Sequence, residues 1–235
     1  MSKVLVIPDV HLKPLMFDQA DNIYRKEKCD KIVFLGDLID DWDQEKKLDL
    51  YNSTFDRAIA FAKDHQNMFI CYGNHDMSYV WDKMESGYSP FARELVVSRL
   101  RELRDALPVE NCAFIHLMDN VIFSHGGLTL SFIMQHFGSS AASIDSIVRS
   151  VNSMSGDKLW KDDSPIWARP QNGYRTYPFD MLHVVGHTPM EAITLCDNVL
   201  STDVFSTYRD GTPIGSQKFV IVDTITKDYF EIEKN

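Results

Sequence analysis

The sequence has no surplus of basic residues. Its 235 residues carry a formal net charge of −10, so no basic stripe is available to neutralise phosphates, which argues against nucleic acid as the main partner. Long apolar runs are missing too. Nothing approaches the ~20 residues needed to span a bilayer, and MSKVLVIPDV has four apolar residues before Pro8 and Asp9, too few for a signal-peptide core. Cysteine is sparse. Cys29, Cys71, Cys112 and Cys196 lie far apart with no C-x-x-C pair, which reads as reduced, mostly buried thiols. Tandem repeats, low-complexity tracts and evident linkers are absent. The expectation is a cytoplasmic protein without a membrane or nucleic-acid partner.

What is present is an ordinary soluble balance, 44% apolar and 25% charged, in a chain long enough to bury a sizeable core. Short apolar runs of strand length stop at polar, glycine-flanked clusters. They are Val4–Ile7, Ile32–Leu35, Met68–Tyr72, Val121–Phe123 and Val184–Val185, with further strands expected at Lys218–Val222 and Tyr229–Ile232. Between the first runs lie helical patterns. Tyr51, Phe55, Ala58, Ile59 and Ala62 recur at three- and four-residue spacing, as do Phe91, Leu95, Leu103 and Leu107. Asp18–Lys28 is a weaker candidate. Strands alternating with helices predict an α/β protein. The stretch 139–178, rich in Ser, Asp and Trp, reads as a cap-like insertion within one domain of residues 1–235.

The run GDLIDDWD, Gly36 to Asp43, gathers four aspartates directly after an apolar run. A solvated acidic turn, a calcium loop and a metal site completed from elsewhere each explain such a cluster. Gly36–Glu45 lacks the regular ligand spacing of a calcium loop and its glutamate at position twelve. In α/β sheets, ligands sit at the carboxyl ends of strands. Five successive strand ends here carry Asp9 and His11, Asp37, Asn74 and His75, His125, and His187. One strand-end Asp usually caps a turn, and one His is usually a hydrogen-bonded surface or core residue. His65, His116, His136 and His183 take that bland reading. Five ends delivering oxygen and imidazole together point to a metal site, with glycines beside four of them allowing close backbone approach.

The blocks Asp9-Val10-His11, Gly36-Asp37-Leu38-Ile39-Asp40, Gly73-Asn74-His75-Asp76, His125-Gly126-Gly127 and Gly186-His187 resemble, in order, the signature of calcineurin-like metallophosphoesterases. Gly186-His187-Thr188-Pro189, with proline where phosphodiesterase-type members place a second histidine, looks like bacterial and phage members of the phosphoprotein phosphatase branch. Trp167-Ala168-Arg169 is similar to that branch's W-x-R. The resemblance implies a single-domain β-sandwich flanked by helices, a four-layer α/β/β/α arrangement, with two divalent metals at one edge. Asp9, His11 and Asp37 would hold one metal. Asp37, Asn74, His125 and His187 would hold the other. His75 would be the catalytic acid, oriented by Asp40, with Arg169 and Asn74 binding the substrate phosphate. Mixed carboxylate, amide and imidazole ligation suits manganese, iron or zinc, and the family makes manganese the first choice.

The sequence also departs from that pattern. Asp41 and Trp42 stand where the protein phosphatases carry Arg-Gly, Pro8 and Leu12 replace glycines, and Asp76 replaces a glutamate. Asp41 either lines the site and repels phosphate, or turns outward to pair with Lys46 or Lys47. The activity implied by the resemblance is hydrolysis of phosphomonoesters, phosphoprotein Ser/Thr/Tyr esters among them. The alternatives are a nucleotide phosphodiesterase or dinucleoside polyphosphate hydrolase, with Trp42, Tyr79 and Trp81 available to stack a base, and a non-catalytic metal-binding scaffold.

Overall fold

In the computed structural model, which describes residues 2–138 and 142–233, each apolar run becomes a strand. The first half contains β1 (Lys3–Ile7), α1 (Leu15–Glu27), β2 (Lys31–Phe34), α2 (Leu48–Asp64), β3 (Met68–Cys71), α3 (Asn74–Trp81), α4 (Arg93–Asp105) and β4 (Cys112–Ala113). Then follow β5 (Ile115–Met118), β6 (Val121–Ser124), α5 (Leu130–Phe137), α6 (Ile144–Asn152) and α7 (Gly156–Leu159). The chain finishes with β7 (Leu182–Val185), β8 (Thr194–Cys196), β9 (Val199–Ser201), β10 (Phe219–Asp223) and β11 (Tyr229–Ile232).

Two sheets result, in the orders β11-β10-β1-β2-β3-β4 and β5-β6-β7-β9-β8. β1, β2, β3 and β4 run parallel, as do β6, β7 and β9. Val4, Leu5, Val6 and Ile7 are all fully buried, as a central parallel strand covered on both faces requires. In β6 the period-2 rule divides the side chains between two cores. Val121 and Phe123 join the core shared with β1, β2 and β10, while Ile122 joins the one built with α5 and α6. The layers therefore run helices, sheet, sheet, helices, in a single domain.

The helices differ from expectation in detail. Tyr51, Phe55, Ala58, Ile59 and Ala62 form the buried face of α2. Phe91 precedes α4 and stays exposed, with the Lys46 ammonium 5.5 Å from its ring centre, so it belongs to no apolar stripe. The short edge strands and α3 have no counterpart among the expected elements. Of the stretch 139–178, residues 139–141 lie outside the described residues. The remainder supplies α6 and α7, whose Ile147, Val148, Val151 and Leu159 pack into the second core.

Two histidines given no role in the sequence reading are buried in this frame. His116 donates from Nε2 to the Ile70 carbonyl at 2.9 Å, and His183 to the Pro178 carbonyl at 3.1 Å. Burial pushes both pKa values from 6.5 down to about 4. The unfolded chain takes up these protons near pH 6.5 and the folded chain only near 4. Their stabilisation is therefore complete above pH 6.5 and lost as the pH falls toward 4, by about 3 kcal/mol for each histidine. Replacing both with glutamine should lower stability at neutral pH but flatten its decline between pH 7 and 5, read by urea denaturation in chelator. Parallel declines for wild type and variant would refute this assignment.

Candidate metal and phosphate site

The carboxyl ends of β1, β2, β3, β6 and β7 meet at one edge of the sandwich, and the loops leaving them lock together through backbone bonds. The Val10 and His11 N–H groups both donate to the Asp37 carbonyl at 3.0 Å, and Leu12 donates to Leu38 at 3.1 Å. His11, Asp37 and His187 all have positive φ, at 43°, 53° and 63°. Each such non-glycine residue costs on the order of 1 kcal/mol or more, a cost concentrated where side chains must be aimed. Close approach does the rest. A Cβ on Gly73 would lie 2.1 Å from Asp37 Oδ1, and one on Gly186 would lie 2.1 Å from Asp9 Oδ2.

Two sets of donor atoms converge, each within 4.8 Å: Asp9 with His11 and Asp37, and Asp37 with His125 and His187. Asp37 belongs to both. His125 Nδ1 donates to the Leu35 carbonyl at 2.9 Å. In the neutral ring, the lone pair of Nε2 then faces Asn74 Oδ1 at 3.0 Å, Asp37 Oδ2 at 3.1 Å and His187 Nδ1 at 3.1 Å. Four acceptors pointing at one another need a cation between them. His11 has the same logic: Nδ1 donates to the Asp40 carbonyl at 2.8 Å, leaving Nε2 4.0 Å from Asp37 Oδ2. His187 Nε2 is buried with no hydrogen-bond partner. The donor set thus fits divalent metal.

The electrostatics agree. Burial, then the nearby Asp203, push the Asp9 pKa well above the carboxylate range. Burial also works to raise Asp37, but the His125 and His75 imidazoles outweigh it and hold Asp37 well below that range. Burial disfavours the charged form of His125, yet Asp37 lifts its pKa to about 9. Asp37 thus draws positive charge toward itself, a demand that bound metal ions would meet.

His75 is the second residue of α3 and lies outside both donor sets. Its N–H donates to Asp37 Oδ1 at 2.9 Å, and its Nδ1 lies 3.2 Å from Asp40 Oδ2. Burial disfavours its cation, but Asp37 and Asp40 raise its pKa to about 10. Arg169 donates from Nη1 to the His187 carbonyl at 2.9 Å and to Thr188 Oγ1 at 3.2 Å, and it has no carboxylate partner among the described residues. It lines, with His11, Asp37, Asn74, His75 and His187, an open cavity of about 200 Å³. All the site residues predicted from sequence lie at this edge, either lining the cavity or, like Asp9 and His125, buried behind it.

Several neighbours differ from expectation. Asp41 does line the cavity, but its partner is Lys13, at 3.3 Å, with Thr207 Oγ1 and the Trp42 N–H also donating to it. Lys46 and Lys47 are not involved, because the loop after β1 carries Lys13 across. Tyr79 is fully buried and Trp81 packs on Phe114 and Trp160, so neither can stack a base. Trp42 is exposed at the rim. Asp76 accepts from the N–H groups of Asp37, Leu38 and Gly73 at 2.8, 3.0 and 3.1 Å, tying two ligand loops together. Asp203 was missed outright. It is buried, lines the cavity, and takes the Ser206 hydroxyl at 2.9 Å on both oxygens. Its signal was the rule used elsewhere, an apolar run at Val199–Leu200 followed by a carboxylate.

A family model described as calcineurin-like phosphoesterase matches residues 2–211. Among solved structures, the chain is similar to a hypothetical protein from Pyrococcus horikoshii OT3, at 16% identity and TM-score 0.49, covering 100% of this chain and 89% of that one. A metallophosphoesterase from Sphaerobacter thermophilus aligns at 14% identity and TM-score 0.48, covering 100% and 88%. A phosphoesterase from E. coli, Yfce, aligns at 10% identity and TM-score 0.42, covering 99% and 100%. No curated protein matches the chain.

Titration with Mn²⁺, followed by metal analysis, should find two ions per chain. Asp37→Ala should abolish both, because its carboxylate belongs to both donor sets. Gly186→Ala should weaken binding by displacing Asp9. Retention of two ions by Asp37→Ala would sink the shared-ligand geometry.

Proposed function

Because the chain belongs to the calcineurin-like phosphoesterase family, we propose that this metal-dependent phosphoesterase acts on phosphomonoesters, in the manner of the phosphoprotein phosphatase branch. The observation that carries this reading is Arg169. A guanidinium without a carboxylate partner among the described residues faces a cavity whose acidic lining is Asp37, Asp40, Asp41, Glu85 and Asp203. Such a group is suited to clamp the oxygens of a terminal phosphate bidentately. Thr188, accepting from Arg169 and donating to Gln171 at 3.1 Å, holds it there. We read 139–178 as an insertion in a single domain that brings Arg169 to the rim.

In this reading Asp9, His11 and Asp37 hold one divalent ion, and Asp37, Asn74, His125 and His187 hold another, with manganese the first metal to assay. Bound there, the ions supply charge neutralisation at the phosphate and a more acidic attacking water. Asn74 also faces the phosphate. His75 keeps Nδ1–H on Asp40 and carries at Nε2 the proton for the departing oxygen. The four cysteines, all free, support a reducing cytoplasmic setting. Among the described residues no helix is long and apolar enough to cross a membrane.

A nucleotide substrate is the second reading, and the exposed Trp42 ring at the rim favours it. Its indole N–H is fixed to the Thr207 carbonyl at 3.1 Å, and the Arg209 guanidinium lies 6.0 Å from its ring centre. The scaffold reading has least support, because His75, Asp40 and Arg169 serve neither donor set.

The test is a panel of monoesters, diesters and dinucleoside polyphosphates on the Mn²⁺-loaded protein. Monoesters should dominate, and Arg169→Ala should raise their KM and the inhibition constant of phosphate by about ten- to a hundredfold, as for a lost hydrogen bond to a charged group. Dominant diester hydrolysis, or phosphate inhibition untouched by Arg169→Ala, would overturn the monoester reading.

The Lys13–Asp41 pair makes a separate prediction. Lys13→Ala should expose the Asp41 charge and raise KM for a dianionic monoester by up to about fivefold, the ceiling for a partly exposed pair, with less effect on a monoanionic diester. Adding Asp41→Asn should restore it. A double variant no better than Lys13→Ala would mean that charge is not the cause.

A further inference from the structure

Behind the His75–Asp40 pair sit two phenols that the chemistry above does not use. Tyr51, on α2, and Tyr79, on α3, are both fully buried, and both hydroxyls reach the same atom, Asp40 Oδ1, at 2.8 and 2.6 Å. The direction of these bonds is fixed. The Ser89 N–H donates to the Tyr79 oxygen at 2.7 Å, so the single hydrogen of Tyr79 is left for Asp40. Tyr51 likewise has its hydrogen directed at the carboxylate. Asp40 Oδ1 is thus an acceptor of two hydroxyl hydrogens, and Oδ2 is left facing His75 Nδ1 at 3.2 Å.

The surroundings hold this arrangement rigid. Tyr88 stacks on Tyr79 with ring centres 4.4 Å apart. Ser89 Oγ donates to the Glu45 carbonyl, and the Ala92 N–H donates to Ser89 Oγ. Gly87 sits against the pair, with a Cβ there falling 3.4 Å from Asp40 Cβ and 3.9 Å from His75 Cε1. Its φ of +81° lets the backbone take that position. The loop of Glu85, Ser86 and Gly87 also forms a wall of the cavity, so Tyr79 joins that wall to Asp40.

We infer that Tyr51 and Tyr79 are positioning residues for catalysis, which clamp Asp40 so that His75 presents a fixed tautomer and ring orientation to the leaving oxygen. The inference rests on the reading of His75 as the general acid. A buried tyrosine needs some acceptor for its hydroxyl, and a purely structural role would make Asp40 merely a convenient one. Two phenols on one carboxylate oxygen, from two helices, go beyond that need. A group that must hold a catalytic side chain to a fraction of an ångström is itself held by hydrogen bonds of this kind.

The test uses Tyr51→Phe, Tyr79→Phe and His75→Asn in the Mn²⁺-loaded full chain, on an alkyl phosphate and on 4-nitrophenyl phosphate. His75→Asn should cost about 10²–10⁴-fold in kcat on the alkyl ester and much less on the nitrophenyl ester, whose leaving group needs no proton. Each Tyr→Phe should cost about tenfold, equivalent to one hydrogen bond to a charged group, with the same bias toward the alkyl ester and an unchanged KM. By proton NMR on the diamagnetic Zn²⁺-loaded protein, the His75 Nδ1–H resonance, identified by its loss in His75→Asn, should shift in both tyrosine variants. If Tyr79→Phe does not fold, Tyr51→Phe and its resonance decide alone. Normal kcat, or equal losses on both esters with the resonance unmoved, would overturn the clamp while leaving His75 as the acid. If His75→Asn itself shows no leaving-group bias, the reading beneath it fails instead.

Discussion

The site is organised around one buried carboxylate that its surroundings cannot leave alone. Asp37 is 2% exposed and shares a 4.8 Å neighbourhood with Asp9 on one side and with His125 and His187 on the other. Two unscreened carboxylates at such a distance repel by roughly 3 kcal/mol at an effective dielectric of about 20. That is a large fraction of the 5–15 kcal/mol that holds a domain folded. Nearly every feature of this edge serves to tolerate that charge. The Asp37 Oδ1 atom takes the His75 N–H, its own N–H is held by Asp76, and its carbonyl ties down the loop after β1. The remaining demand, for positive charge between converging lone pairs, is what divalent cations meet. The strained backbone at His11, Asp37 and His187 is tolerable because it is confined to the loops above two well-packed cores.

This explains which parts of the protein were legible in its sequence. The central strands were plain because burial on both faces demands uninterrupted Val, Ile, Leu and Phe. The donor residues were plain because they follow those strands at once. The helix α3 was hidden, since Asn74, His75, Asp76 and Ser78 serve the site or its own turns rather than an apolar stripe. The strands β8 and β9 were hidden by shortness, with Leu195 half exposed at a sheet edge. In α6 the set Ile144, Ile147, Val148 and Val151 has helical spacing, but the Ser and Asp around it mask the stripe. Tertiary partners were the least legible. Nothing local to Asp41 names Lys13, and nothing near Tyr51 names Asp40, because those contacts exist only once β1, β2 and α2 have been stacked.

The rim is where the chain leaves the pattern its motifs resemble, and its charges resolve that departure. An aspartate in place of an arginine would set a negative group against an incoming phosphate. Here Lys13 Nζ reaches Asp41 Oδ2 while also donating to the His11 carbonyl at 3.1 Å, so the substitution is locally neutralised rather than repulsive. Arg169 then remains as a cation in the cavity without an ion-pair partner among the described residues. Trp42, the residue after Asp41, is bonded through its indole N–H to the Thr207 carbonyl at 3.1 Å and stays at the rim. With Arg169 as the proposed phosphate grip, binding charge would come mainly from bound metal ions and the choice of leaving group from shape. Discrimination would then fall to the wall formed by Glu85, Ser86 and Gly87 and to the Trp42 rim, which line the same cavity as His75. The first is joined through Ser89 and Tyr79 to Asp40, the partner of His75 Nδ1, so with His75 in the proposed role recognition and proton delivery would share one rigid connection.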